Sequence, residues 1–243
     1  MHGRCDDCIF VSNSSISCRS LPKSWFPCWS RTAQRRKVVN KVVLASNNPG
    51  KLKEFSAILQ RANITMVAQG ELGVPEAEEP HPTFVENALA KARHASRLTG
   101  LPALADDSGL SVAALGGAPG VYSARFASMA GGEKSDAANN GYLVQQLTGV
   151  EDRRASYVAV LVYLRSADDP MPVIAQGIWQ GMIVDTPRGS NGFGYDSHFF
   201  LPALGKTAAE LEPDEKNRSS HRAQALTLLL QALNDQAATT ATS

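Results

Sequence analysis

The feature that most constrains the fold is an apolar run, Val38 to Ala45, that stops abruptly at Ser46-Asn47-Asn48-Pro49-Gly50. Its valine and leucine content predicts a buried strand, and the turn-forming residues after it predict a tight loop. A helix from Lys51 to about Arg61 and a short strand from Ile64 to Ala68 are expected to follow. The chain therefore begins as strand, loop, helix and strand, an order that is typical of α/β proteins.

The rest of the chain continues to alternate between strands and helices. Thr83 and Glu86 form a capping box that predicts a helix from Thr83 to about Thr99. A strand over Pro102 to Ala105 is expected to end at Asp106-Asp107-Ser108-Gly109, a sequence that also favours a turn. Further on, the pattern predicts a helix over 136–147, an antiparallel pair of strands over 155–164 and 173–184, and a final helix from about Ser219.

Charge and cysteine are concentrated in the first 37 residues. This segment holds seven of the 24 basic residues, two of the 23 acidic residues and all four cysteines, Cys5, Cys8, Cys18 and Cys28. The body that follows carries a net charge of −4, so it lacks the positive footprint of a nucleic-acid-binding protein. A body without cysteine suits a reducing compartment, and we expect a cytoplasmic protein with no nucleic acid partner.

Residues 1–37 allow three interpretations. Cys5-x-x-Cys8 with Cys18 and Cys28 could supply zinc ligands, although the second pair lacks the close spacing of such sites. The composition, rich in serine and arginine, also resembles an organellar transit peptide. We favour a disordered extension, followed by one domain over 38–236 and a disordered tail over 237–243. No stretch approaches the roughly 20 apolar residues of a membrane-spanning helix, so we expect no membrane partner.

The loop Ser46-Asn47-Asn48-Pro49-Gly50-Lys51 has the parts of a phosphate-binding site. Free backbone N–H groups and the dipole at a helix start favour an anion there, and Lys51 adds a full positive charge. It is not a Walker A loop, because Ala45 stands where that motif has glycine and Leu52 where it has the magnesium-binding hydroxyl. An ordinary turn between a strand and a helix is the alternative.

Acidic residues occur in two groups, Glu76, Glu78 and Glu79 before the second helix and Asp106-Asp107 after a strand. Mg²⁺ usually takes one or two carboxylates and completes its shell with water and phosphate oxygens. Of two adjacent carboxylates, one can hold metal while the other accepts a proton from water. Solvated loop residues are the alternative, but the carboxyl end of a strand is where open α/β sheets bind ligands.

Two later stretches suit a nucleotide. Gly192-Phe193-Gly194-Tyr195-Asp196 places two aromatic rings and a carboxylate on a glycine-rich loop, where they could stack on a base or bind its edge or sugar. Lys216 and the pair His221-Arg222 precede the last helix and could meet phosphate or a keto oxygen. Taken singly, such aromatics more often serve packing, and a His-Arg pair more often lies on the surface.

Together these stretches resemble the inosine triphosphate pyrophosphatase family, which removes deaminated purine triphosphates. The matching segments occur in the family's order and cover nearly all of residues 41–235: Ala45 to Lys51, Thr83 to Ala88 with Lys91-Ala92, Ala105 to Leu110, Gly116 to Arg125, Gly192 to Asp196, and Ser220 to Arg222. The chain departs from the family at Asn47, where many relatives have glycine, and in residues 1–37, which have no counterpart.

The resemblance implies a fold, a reaction and a set of site residues. The fold is a three-layer α/β arrangement, a twisted mixed sheet flanked by helices with the nucleotide in a central cleft, in a homodimer. The reaction is Mg²⁺-dependent hydrolysis of ITP, dITP and XTP to monophosphate and pyrophosphate, which keeps these nucleotides out of DNA and RNA. Metal binding falls to Asp107 and to Glu78 or Glu79, of which we favour Glu78, and Asp107 is the proton acceptor. Nucleotide binding falls to Ser46, Asn47, Asn48, Pro49, Gly50, Lys51, Ser108, Phe193, Gly194, Tyr195, Asp196, Lys216, His221 and Arg222.

The mechanistic hypothesis is that Asp107, alone or together with Asp106, orients a water for attack at the α-phosphorus while His221-Arg222 donate to the purine 6-keto oxygen. One alternative is a pyrophosphatase for other modified nucleotides, which a panel of triphosphates would separate. The other is a nucleic-acid-binding protein that acts through its basic leading segment, which deletion of residues 1–37 would test.

Overall fold

The structure is a computed structural model that describes residues 41–59 and 64–241. The zinc, transit-peptide and extension hypotheses for residues 1–37 therefore lie outside the described residues. The strands form one sheet in the order β2-β1-β3-β4-β5-β6-β7. They are β1 Lys41–Leu44, β2 Thr65–Ala68, β3 Ala103–Val112, β4 Arg154–Leu164, β5 Val173–Ile183, β6 Phe199–Leu201 and β7 Lys206–Thr207.

The described part of the chain contains the helices α1 Pro49–Leu59, α2 Phe84–Thr99, α3 Phe126–Met129, α4 Asp136–Gln146, α5 Pro213–Ser219 and α6 His221–Ala241. β1 runs parallel to β2 and β3, whereas the strands from β3 to β7 pair antiparallel. Parallel neighbours need a crossover connection, and helices supply it in this part of the chain. The predicted α/β fold with a mixed sheet is confirmed.

Helices cover both faces of the sheet. On one face, α2 packs a row of small residues, Ala88, Ala92 and Ala95, against the strands. On the other face, α1 and α6 pack with Phe55 and Leu226 among their buried side chains. Because side chains alternate along a strand, neighbouring residues of β1 and β3 contribute to opposite layers. This is the predicted three-layer arrangement.

The second helix begins as the capping box predicts. Thr83 Oγ1 accepts a hydrogen bond from the N–H of Glu86 at 3.4 Å and donates to Glu86 Oε2 at 2.5 Å. The helix ends at Gly100, whose φ of 67° is left-handed and suits glycine. Thr83 and Gly100 thus set the two ends of α2, whose inner face packs against the sheet.

β3 overturns one sequence prediction. Asp106 and Asp107 do not end a strand or form a turn but lie in the middle of β3. The strand continues because β4 pairs with it along its whole length. On its other edge, β1 pairs with β3 only as far as Leu104, where the N–H of Ala45 donates to the Leu104 carbonyl at 2.8 Å. A cleft therefore opens at the carboxyl end of β1, beside two carboxylates within the neighbouring strand.

Other boundaries differ by smaller amounts. α1 begins at Pro49 rather than Lys51. A separate helix, α5, ends at Ser219, and the last helix begins at His221. It extends to Ala241, so residues 237–241, expected in a disordered tail, are helical. Within the two described ranges, no helix is both long and apolar enough to cross a membrane.

Candidate functional site

Side chains around the carboxyl end of β1 surround a cavity of about 830 Å³. It is bounded by the loop after β1, the middle of β3, the loop 192–196 and the start of α6. Most of the predicted site residues line it: Ser46, Asn47, Asn48, Lys51, Glu78, Asp107, Ser108, Phe193, Gly194, Tyr195, Asp196, Lys216, His221 and Arg222. Pro49 and Gly50 do not. The fold thus brings together residues that are far apart in the sequence.

The loop between β1 and α1 is not the open backbone cradle that the sequence predicts. Asn48 caps α1, because its Oδ1 accepts hydrogen bonds from the N–H groups of Gly50 at 2.9 Å and Lys51 at 3.1 Å. Ser46 Oγ accepts from the N–H of Asn48 at 3.2 Å. Asparagine is a favoured cap for this reason. These three backbone donors already have partners, and the loop adds the cationic side chain of Lys51, which lines the cavity.

Asp106 faces the side of the sheet covered by α1 and α6, where it meets two cations. Its Oδ2 lies 2.6 Å from Lys51 Nζ and 3.6 Å from Arg222 Nε. Burial opposes ionisation of Asp106, but Lys51 and Arg222 outweigh it and hold the pKa of this carboxyl well below its usual range. Burial, aided by repulsion from Arg222, lowers the pKa of Lys51 despite its pairing with Asp106. Burial therefore outweighs the ion pair with Asp106, and Lys51 remains under-compensated.

Asp107 faces the opposite side, toward α2, because successive strand residues alternate. Lys91 Nζ lies 2.8 Å from Asp107 Oδ1 and 2.7 Å from Glu79 Oε1, so one ammonium serves two carboxylates. The two attractions outweigh burial and raise the pKa of Lys91. Burial raises the pKa of Asp107 although Lys91 opposes it. For the more exposed Glu79, Lys91 outweighs burial and the pKa is lowered. The carboxylate of Asp107 is therefore the under-compensated partner.

Two buried carboxylate oxygens are left for a ligand. Asp106 Oδ1 and Asp107 Oδ2 have no hydrogen-bond partner in the described part of the chain, and such atoms are costly unless a cation or donor meets them. Within that part, no three Asp, Glu, His or Cys side chains form a metal-binding group. One or two carboxylates in an open cleft suit Mg²⁺, which keeps water and phosphate ligands. Glu79 shares Lys91 with Asp107, whereas Glu78 is exposed. The geometry therefore favours Glu79 as the second metal ligand beside Asp107, although the resemblance favours Glu78.

The other end of the cavity is formed by the loop 192–196. The centre of the Phe193 ring lies 5.1 Å from Lys216 Nζ and 5.3 Å from Arg222 Cζ. Asp196 Oδ2 accepts from the N–H of Phe193 at 2.9 Å and from Lys216 Nζ at 2.7 Å. Gly192 makes room for this carboxylate, because a Cβ there would collide with Asp196 Oδ2. The loop is thus a fixed platform with one half-buried ring.

Tyr195 and His221 are packed into the interior. The Tyr195 hydroxyl donates to the Ser123 carbonyl at 2.8 Å, so this ring anchors the loop and leaves Phe193 for stacking. His221 stacks on Tyr157 with ring centres 4.7 Å apart and planes within 8°. Burial, followed by the charge of Arg222, holds the pKa of His221 well below its usual range. His221 is therefore a neutral imidazole with one N–H to donate near neutral pH.

Five charged residues at or beside the cavity were not assigned a role from the sequence: Glu54, Lys91, Arg125, Lys134 and Asp136. Glu54 Oε2 lies 3.0 Å from Arg222 Nη1 and neutralises it from α1. Arg125 lines the cavity beside the acidic end. Lys51 and Glu54 are three residues apart, a spacing that places both on one side of a helix. That spacing is the signal that could have identified Glu54, whereas its partner on α6 is visible only in the fold.

Comparisons with known proteins agree with the fold. A sequence profile of the Ham1 family matches residues 42–232. A dITP/XTP pyrophosphatase from Ralstonia nicotianae is 68% identical over 195 residues, 80% of this chain and 97% of that protein. One from Burkholderia pseudomallei is 68% identical over 196 residues, 81% of this chain and 94% of that protein. The solved structure of a HAM1 protein from Coxiella burnetii, 47% identical, matches with a TM-score of 0.74 over 80% of this chain and 98% of that chain. The family predicted from the sequence is confirmed, and the chain belongs to the Ham1 family.

Proposed function

We propose that this chain hydrolyses deaminated purine nucleoside triphosphates, namely ITP, dITP and XTP, to the monophosphate and pyrophosphate. The observation that carries the proposal is that Lys51, the pair Glu79 and Asp107, and the ring of Phe193 all line one cavity. A triphosphate tail would meet the lysine and the acidic end, and a purine would meet the aromatic end. The names of relatives that are 68% identical support this substrate class.

Asp107 is the proton acceptor in this proposal. Lys91 holds Asp107 Oδ1 at 2.8 Å, while Oδ2 has no hydrogen-bond partner among the described residues. One oxygen is fixed and the other is available to a water. Burial raises the pKa of Asp107, which makes it a stronger base than an ordinary aspartate. The water attacks the α-phosphorus, the bond from that phosphorus to its bridging oxygen breaks, and Lys51 stabilises the negative charge on the departing pyrophosphate.

The cofactor in this proposal is Mg²⁺, held by Asp107 and Glu79. Membership in the Ham1 family suggests a divalent metal. The carboxylates of Glu79 and Asp107, which lie together at one end of an open cavity, fit a hard ion that takes its remaining ligands from water and phosphate. When bound, the ion would offset phosphate charge and polarise the phosphoryl group. Asp106 is engaged by Lys51 and Arg222, so we assign it to holding those cations in place.

Base selection in this proposal depends on hydrogen-bond donors at the other end of the cavity. His221 is neutral, and its buried Nδ1 has no hydrogen-bond partner in the described ranges. We assign His221 and the guanidinium of Arg222, which Glu54 and Asp106 hold in place, as donors to the 6-keto oxygen of hypoxanthine or xanthine. Adenine presents an amino group at that position, so the donors would stay unpaired and ATP would bind poorly. Guanine shares the 6-keto oxygen, so rejection of GTP requires a further contact near the purine 2-position.

A panel of triphosphates tests the proposal. The full-length chain is assayed with Mg²⁺ and with ITP, dITP, XTP, GTP, ATP, and modified pyrimidine and methylated purine triphosphates, and pyrophosphate and phosphate are measured separately. We expect pyrophosphate from ITP, dITP and XTP, with kcat/KM about 100-fold or more above that for ATP. Equal use of ATP, or release of phosphate, would contradict the proposal. A preference for the other modified triphosphates would support the alternative pyrophosphatase function.

The homodimer, the cytoplasmic location and the lack of nucleic acid and membrane partners remain predictions. Light scattering on the purified chain tests the dimer, with twice the 26.0 kDa chain mass as the expected result. Nucleic acid binding that disappears when residues 1–37 are deleted would revive the alternative of a basic binding arm. Unchanged dITP hydrolysis in the same deletion would show that the arm is not needed for the reaction.

A further inference from the structure

The loop that carries Phe193 is held by the first turn of α4. The N–H of Gly194 donates to Asp136 Oδ2 at 2.7 Å, and the Gly194 carbonyl accepts from Asn140 Nδ2 at 2.8 Å. Asn140 Nδ2 also donates to the Asp136 carbonyl at 2.9 Å, so the two bracing residues are linked. Both polar backbone groups of one loop residue are therefore bound by a helix that lies more than 50 residues earlier in the sequence.

This brace lies next to the ring that we propose for base stacking. On its other side, the N–H of Phe193 is held by Asp196 Oδ2 at 2.9 Å. The ring reaches the start of α1, because a Cβ on Gly50 would lie 2.8 Å from Phe193 Cε1. A phenylalanine side chain has only two rotatable bonds and few allowed rotamers, so its ring follows the position of its backbone closely. A loop released from α4 would move the ring relative to the cavity.

We propose that Asp136 and Asn140 are positioning residues for purine binding, which hold Gly194 so that the Phe193 ring stays in place to stack on the base. The proposal rests on the proposed function and adds two residues to the site. Two other roles compete with it. The brace could serve fold stability alone, or Asp136, which also lines the cavity, could contact the nucleotide directly.

The first test compares alanine variants of the full-length chain. In Asp136→Ala and Asn140→Ala, KM for dITP rises about tenfold, the ratio expected when one strong hydrogen bond is lost. Competitive inhibition by inorganic triphosphate, which has no base, stays within about twofold of wild type. Asp136→Asn keeps an acceptor oxygen and recovers most of the affinity.

Asn139→Ala is the matched control for a purely structural effect. Asn139 is also a buried asparagine of α4, but it bonds to the N–H of Ala127 at 2.9 Å and the carbonyl of Ala124 at 3.3 Å instead of the loop. Its replacement lowers the thermal midpoint and leaves KM for dITP unchanged. An equal rise of KM in this control, or equal loss of inhibition by inorganic triphosphate in the brace variants, would reduce the brace to a structural role.

A double-mutant cycle distinguishes positioning from direct contact. If Asp136 acts through the ring, Asp136→Ala causes no further rise of KM in a Phe193→Ala background. Additive effects would overturn the proposal in favour of direct contact. A wild-type chain that does not hydrolyse dITP would contradict the proposed function itself. An active wild-type chain with unaltered KM in both alanine variants would contradict only the positioning role of Asp136 and Asn140.

Discussion

Asp106 and Asp107 are neighbours in one strand, yet the structure predicts that neutralising them has opposite effects on stability. Asp106 is ionised between Lys51 and Arg222, and its pKa lies well below its usual range because these cations outweigh burial. Asp107 shares Lys91 with Glu79, and burial raises its pKa. The perturbation is a matched pair of single substitutions, Asp106→Asn and Asp107→Asn, which change charge with almost no change of volume.

The sign of the stability change for each substitution follows from the link between the pKa of a group and the free energy of unfolding. When folding lowers the pKa of a carboxyl group, as for Asp106, the carboxylate stabilises the folded chain at pH values above the unfolded-state pKa. This stabilisation is lost as the pH falls through the folded-state pKa. When folding raises the pKa, as for Asp107, the protonated carboxyl stabilises the folded chain at pH values below the unfolded-state pKa. This stabilisation is lost as the pH rises through the folded-state pKa. At neutral pH, therefore, the charge of Asp106 stabilises the folded chain and the charge of Asp107 does not.

The magnitudes follow from what each substitution leaves behind. Asp106→Asn leaves Lys51 without the carboxylate that lies 2.6 Å from its Nζ, whereas Arg222 keeps Glu54 at 3.0 Å, and breaking a buried ion pair costs about 3–5 kcal/mol. Asp107→Asn leaves Lys91 paired with Glu79 at 2.7 Å, so the free energy of unfolding at neutral pH should stay level or rise. Turnover in Asp107→Asn should fall by about 10² to 10⁴, the usual range for loss of a general base.

Urea unfolding at neutral pH with a metal chelator, and pyrophosphate release with Mg²⁺, measure these two quantities. Wild type, Asp106→Asn and Asp107→Asn are compared on the full-length chain. If Asp107→Asn lost as much stability as Asp106→Asn, the electrostatic argument would be refuted. If Asp107→Asn kept most of its dITP hydrolysis, the assignment of the proton acceptor would be refuted.

Four further substitutions test the metal ligand, the position of the Phe193 ring and the cap of α2. Glu79→Gln should raise the Mg²⁺ concentration for half-maximal turnover about tenfold or more, while Glu78→Gln should not; the reverse order would restore the original prediction for the metal ligand. Gly50→Ala should raise KM for dITP severalfold with little loss of stability, because its Cβ would lie 2.8 Å from the ring of Phe193; an unchanged KM would show that the ring moves freely. Thr83→Ala should lower the free energy of unfolding by about 1 kcal/mol through loss of the cap of α2, with normal turnover at 25 °C; a change in KM would contradict a purely structural cap.

The sequence predicts well whatever depends on local chemistry. The strand, loop and helix at the start of the body, the cap at Thr83 and the antiparallel pair β4 and β5 follow from periodicity and turn residues. The sequence does not show where β3 ends, because the strand is extended by pairing with β4, whose sequence lies some 50 residues away. For this reason the sequence pattern predicts Asp106 and Asp107 at the carboxyl end of a strand instead of in its middle, although both line the cavity beside which a ligand site is expected.

The site residues show the same division. Motif by motif, the sequence identifies many of the side chains that line the cavity, but not the contacts that define their chemistry. That Lys91 shares its charge between Asp107 and Glu79 depends on the approach of α2 to β3. The preference for Glu79 over Glu78 depends on which carboxylate turns inward from an irregular segment. Such choices are made by tertiary packing, which one sequence does not encode in any local pattern.

In the proposed reaction, water attacks the α-phosphorus of a deaminated purine triphosphate. Hydrolysis of dITP by the full-length chain in ¹⁸O-water, followed by mass spectrometry of both products, shows which phosphorus is attacked. We expect one ¹⁸O atom in the monophosphate and none in the pyrophosphate. Label in the pyrophosphate, or inorganic phosphate as the labelled product, would contradict it.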